Sequence, residues 1–171
     1  SRSGYGQHEP GSMASTLKAK MPRFYWDFTR AKSYLERGQT PWTPAISIVF
    51  ALSASLEMML SEGLSNIIAR HTRVGKAARS GVKSLGLSLF AEEAYASNTV
   101  TAVRSPDGLE VKKMLRILRE EHNIVLAGGQ QMLAGKIFRI GHLGWVTEDD
   151  IETVISALKV VLPKAGFRSA S

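Results

Sequence analysis

The chain has 171 residues and a formal charge of +7, from 22 Lys and Arg against 15 Asp and Glu, with 44% hydrophobic residues. The length suits one domain, and falls short of a (β/α)8 barrel of about 250 residues. The apolar content excludes collagen-like and disordered classes. The sequence has no cysteine, so disulfides, thiolate nucleophiles and Cys-based zinc sites are excluded. That composition fits a reducing, cytoplasmic setting. The histidines His8, His71, His122 and His142 are too widely spaced in sequence for a histidine metal motif.

Residues 1–13 (SRSGYGQHEPGSM) read as a disordered tag or cloning scar, with no apolar stretch of a secretion signal. Residues 14–43 read as a linker carrying one short helix, over 27–37 and closed by Gly38. Pro41 and Pro44 then enforce an extended turn. Thr43 is placed to cap a helix that starts at Pro44 and runs to Glu62. That helix is apolar on more than one face, through Ile46, Val49, Phe50, Leu52, Leu56, Met59 and Leu60. A helix apolar nearly all round must be buried nearly all round, which implies another domain or subunit. No membrane span is expected, because its most apolar window, 45–60, is interrupted by serines and Glu57 and a span needs about 20 residues.

From residue 64 to about 86 the 3–4 spacing of Leu64, Ile67, Ile68, His71, Val74, Ala78 and Val82 predicts an amphipathic helix. Its other face carries Arg70, Arg73, Lys76, Arg79 and Lys83 without an acid. Such a stripe suits nucleic acid, but no nucleic-acid motif accompanies it, so a solvated face is expected and no nucleic-acid partner. Strands are predicted over 87–90, 98–104, 124–126 and 136–143, helices from 109 to 122 and after Thr147. Thr147 and Asp150 are spaced as a capping box. Residues 44–167 thus form the folded domain, with 168–171 as a tail. The fold class is α+β, a small antiparallel or mixed sheet covered by helices on one face and preceded by the long apolar helix.

Three features could carry chemistry. Arg139 lies inside the apolar run 137–140. A buried guanidinium needs an anion, either a substrate carboxylate or the carboxylate of an Asp or Glu in the chain. Thr40 and Thr43 lie by a helix N-terminus, which favours a phosphate, although Thr43 is equally explained as a cap. Gly128-Gly129 lets a backbone approach a ligand or simply makes a tight turn.

Residues 20–167 resemble the C-terminal part of class V, fold type I aminotransferases of the alanine–glyoxylate and serine–glyoxylate (serine–pyruvate) group. The resemblance is carried by MPRFYWDF (21–28), GQTPWTPAISIVFAL (38–52), ARHTRV (69–74), AGGQ (127–130) and KIFRIGHLG (136–144). Members of this subgroup have also been labelled soluble hydrogenase small subunits, a chemistry for which the sequence offers no metal-ligand set. The resemblance implies a homodimeric enzyme using pyridoxal 5'-phosphate, a small amino acid and a 2-oxo acid. It assigns Arg139 to the substrate carboxylate, and Thr40 and Thr43 to cofactor phosphate contacts from the neighbouring subunit. Many members have tyrosine where Thr40 stands. The Schiff-base lysine of such enzymes lies on a large N-terminal domain, upstream of MPRFYWDF. The chain by itself is therefore expected to be inactive and not to hold the cofactor. The other reading is a stand-alone carboxylate- or protein-binding module of the same fold.

Overall fold

The computed structural model describes residues 10–167, which divide after Leu56 into two compact units. Residues 1–9 of the expected tag and the expected tail over 168–171 lie outside the described residues. The first unit holds α1 (Pro10–Lys18), α2 (Phe28–Leu35) and the start of α3 (Ile46–Glu62). Asp27 caps α2 by accepting hydrogen bonds from the backbone amides of Thr29 at 2.9 Å and Arg30 at 3.2 Å. Gly38, at φ +67°, turns the chain after the helix in a conformation that suits glycine. The aromatics of MPRFYWDF then meet the proline turn. Tyr25 stacks on Trp42 with centroids 5.2 Å apart, and Arg30 lies 4.9 Å from the Trp42 ring.

Helix α3 starts two residues later than the sequence predicts. The backbone amide of Ile46 donates to Pro44 O in a tight turn, and the first helical bond runs from Val49 N to Ala45 O. Pro44 is thus the end of the extended turn rather than the first helical residue, and Thr43 does not cap. No residue of α3 is buried.

The second unit contains α4 (Leu64–Ser84), β1 (Val100–Arg104), α5 (Val111–His122), β2 (Ala127–Gly128), β3 (Ile137–Gly141) and α6 (Glu148–Lys164). The three strands pair antiparallel in the order β1-β3-β2, so the α+β reading holds in its antiparallel form. The segment 87–90 contributes only a bridge, Leu89 to Val103. Residues 124–126 are not a strand. Asn123 takes a left-handed conformation at φ 54°, Ile124 N bonds back to Leu118 O, and pairing begins only at Ala127.

The core lies between sheet and helices. Phe138, Val103, Met114, Leu118, Ala78, Val82, Leu158 and Val161 have no solvent contact. Helix α6 opens with the expected capping box, Thr147 with Asp150. The Asp150 carboxyl is held below its usual pKa by the Thr147 backbone and hydroxyl bonds.

Candidate functional site

Arg139 sits on the central strand. The two-residue period of β3 sends Phe138 and Ile140 into the core and Arg139 to the other face of the sheet. Its cross-strand partners are Ala102 on β1 and Ala127 on β2, so only small side chains flank it. The guanidinium is half-buried. Nε and Nη2 both donate to the Gly128 carbonyl, at 3.2 and 3.0 Å. Among the described residues no Asp or Glu forms an ion pair with Arg139. Among the described residues the internal salt bridge that the sequence left open is not made.

Thr40 and Thr43 belong to the first unit and Arg139 to the second. The Thr40 hydroxyl donates to Trp42 O at 2.7 Å. Thr43 is exposed and lies three residues before α3. Of the first four amides of α3, Ile46 N and Val49 N are bonded to Pro44 O and Ala45 O, which leaves those of Ser47 and Ile48 as donors without an acceptor among the described residues.

His142 is a participant that the sequence reading passed over. It is fully buried. Its Nε2 lies 2.9 Å from Thr101 Oγ1 and its Nδ1 3.1 Å from Asn98 O. A carbonyl only accepts, so Nδ1 carries the proton; burial favours the neutral ring, in which Nε2 accepts from the Thr101 hydroxyl. Burial lowers its pKa, opposed by the bond to Asn98 O and reinforced by the nearby positive charge of Arg79. A signal for it existed, because continuing the inward series Phe138, Ile140 by two residues reaches 142. His71 is half-buried, with Nδ1 2.9 Å from Ile67 O, a structural bond within its own helix.

The basic face of α4 is largely partnered. Arg70 pairs with Glu62 through two bonds, at 2.7 and 2.9 Å, Arg73 with Glu148, and Lys83 with Glu93. Arg79 donates to Ser97 O and Asn98 Oδ1. Among the described residues no group of three His, Asp or Glu side chains is gathered as a metal site.

Several known proteins are similar to this chain in sequence and fold. No protein-family model matches the chain. A protein of Methanocaldococcus jannaschii described as an uncharacterized aminotransferase is 43% identical over 84% of this chain and 38% of its own length. Serine–glyoxylate aminotransferase of Arabidopsis thaliana is 35% identical over 92% of this chain and 40% of its own length. The alanine–glyoxylate aminotransferase structure from Nostoc sp. superposes with a TM-score of 0.80 at 30% identity, over 90% of this chain and 42% of that one. The chain is homologous to class V aminotransferases. The small antiparallel sheet with its helices matches the C-terminal domain of these fold type I enzymes. The chain spans about two-fifths of the length of the aminotransferases it matches. No single helix among the described residues is long and apolar enough to cross a membrane.

Proposed function

We propose that the chain is the substrate-closing C-terminal domain of a pyridoxal-phosphate aminotransferase that exchanges the amino group of a small amino acid with a 2-oxo acid such as glyoxylate or pyruvate. The observation that carries this reading is Arg139, a half-buried guanidinium with no carboxylate partner among the described residues. An arginine that is always charged and only partly solvated favours an external carboxylate. Amino acid and 2-oxo acid share that group, so one arginine serves both halves of the exchange. The flanking Ala102 and Ala127 leave room for it.

The cofactor, when bound, supplies the electron sink for amino-group transfer. The residues of this chain suit its phosphate in part. Thr43, exposed beside the open first turn of α3, can donate. Thr40 already gives its proton to Trp42 O and offers only acceptor lone pairs, which suits a phosphate less. The chain's two candidate contacts would therefore reduce to Thr43 with the amides of Ser47 and Ile48. A Schiff-base lysine on a larger N-terminal domain, a homodimer and a cytoplasmic setting complete the proposal, and the chain by itself does not transaminate.

The test is made in the enzyme that carries this chain together with its lysine-bearing domain. Arg139→Ala raises KM for both carboxylate substrates by about 30-fold or more, as expected for truncating one partner of a desolvated charge pair. An unchanged KM removes Arg139 from the site.

A further inference from the structure

We propose that the Gly128 carbonyl, fixed by Gly129, is the positioning group that aims Arg139, so that a substrate carboxylate is received end-on by Nη1 and Nη2. The proposal rests on the reading of Arg139 as the carboxylate arginine and adds how that arginine is presented.

A guanidinium has two edges able to grip a two-oxygen anion. One is the side edge, Nε with Nη2, and the other is the end edge, Nη1 with Nη2. The Gly128 oxygen takes both donors of the side edge, at 3.2 and 3.0 Å. Among the described residues no acceptor is bonded to Nη1. The end edge is what remains for a bidentate carboxylate. A neutral carbonyl leaves the full positive charge in place, so it orients the side chain without competing as an anion would. Arg side chains lose much rotamer freedom when ordered, and ordering the fork before binding removes that cost from the binding step.

The position of the Gly128 oxygen depends on its neighbour. Strand β2 is only Ala127–Gly128, and the ladder is continued by Gly129 N bonding to Ile137 O at 3.0 Å. The chain then folds back sharply. Gln131 adopts φ 49°, and Lys136 N bonds to Leu133 O at 3.0 Å. This return packs directly on Gly129. A Cβ there would overlap the Leu133 carbonyl oxygen, lie 2.6 Å from its carbonyl carbon and lie 3.0 Å from Ile137 Cγ1. The obstruction is backbone, so no side-chain rotation relieves it. Any residue but glycine at 129 displaces the peptide that presents the Gly128 oxygen. The glycine is required by space, not by a left-handed torsion.

The test uses this chain, labelled for nuclear magnetic resonance. Arg139 Nε–H is expected as a resolved resonance with a coupling across the hydrogen bond to the Gly128 carbonyl carbon. It should exchange with water more slowly than the exposed Arg116. In Gly129→Ala the coupling disappears and exchange of Arg139 Nε–H quickens about fivefold or more, while the amides of Met114, Leu118 and Leu158 stay protected. The proposal is overturned if the original chain lacks the coupling, or if a folded Gly129→Ala leaves the Arg139 signals unchanged. Should Gly129→Ala fail to fold, the coupling in the original chain decides alone. The carboxylate reading fails separately. An unchanged KM in Arg139→Ala of the longer enzyme sinks it and leaves the Gly128 coupling as it was.

Discussion

Two side chains three residues apart, Arg139 on β3 and His142 just past its end, differ in how plainly the sequence announces them. Arg139 stands out because a charge inside an apolar run demands an anion. His142 is marked only by register, two residues beyond Ile140 in the inward series, and that register does not say that both its nitrogens are bonded. Its burial has a consequence for stability. The folded chain holds the ring neutral, with a pKa below its ordinary value, while the unfolded chain takes up a proton near pH 6.5. The unfolded state therefore binds more protons as the pH drops below about 6.5, and stability rises with pH over that window. Stability should be full above pH 7, decline as the pH falls through the lowered folded pKa, and level off below it. Denaturant titrations between pH 7.5 and 5 check this, above the range where the carboxylates of Glu62, Glu93, Glu121 and Asp150, all with lowered pKa values, become protonated. His142→Gln should be less stable at pH 7.5 and show a shallower decline. An equally steep decline in the variant would assign the pH dependence elsewhere.

At the level of elements, the apolar spacing of α4, α5 and α6 was enough to locate them, and the Thr147–Asp150 pair marked where α6 begins. The short pieces were harder. Strand β2 consists of an alanine and a glycine, residues with little strand preference, and it exists because the central strand offers a ladder to pair with. No local pattern encodes that. The glycines of α4 were similarly opaque. Gly81 reads as a weak helix former, disfavoured by about 1 kcal/mol against alanine. In the structure an added Cβ would lie 2.5 Å from Ile155 Cγ1 and 2.8 Å from its Cδ1 on α6, so close helix approach is the reason for it. Gly81→Ala is expected to destabilise the chain by about 1 kcal/mol, since overpacking of roughly 1–3 kcal/mol outweighs the propensity gain. In an Ile155→Ala background the same change should stabilise by about 1 kcal/mol, the propensity gain alone. The reversal of sign in the double-mutant cycle is the measurement. The same sign in both backgrounds would mean that Ile155 is not what keeps residue 81 small.

For the whole molecule, α3 is where sequence and structure jointly point beyond the chain. Its composition calls for burial on several faces, yet Phe50 is 72% and Leu60 81% exposed, and Ile46, Val49, Leu52, Leu56 and Met59 are exposed as well. Contiguous apolar surface of more than a few hundred Å² marks an interaction site or an aggregation liability. In the proposed enzyme that surface is covered by the lysine-bearing domain or the second subunit. The isolated chain lacks that cover, so it should self-associate, with a weight-average mass in sedimentation that rises with protein concentration. The charge of +7 opposes this through long-range repulsion, and screening by salt weakens that repulsion. Association should therefore strengthen from low to moderate salt, as expected for apolar contact and opposite to contact between unlike charges. Phe50→Glu with Leu60→Glu should return the chain to a monomer. Both positions are exposed, so the protection of the core amides should not change. A wild-type chain that sediments as a monomer at every concentration and salt would show that α3 does not need the apolar partner its sequence calls for.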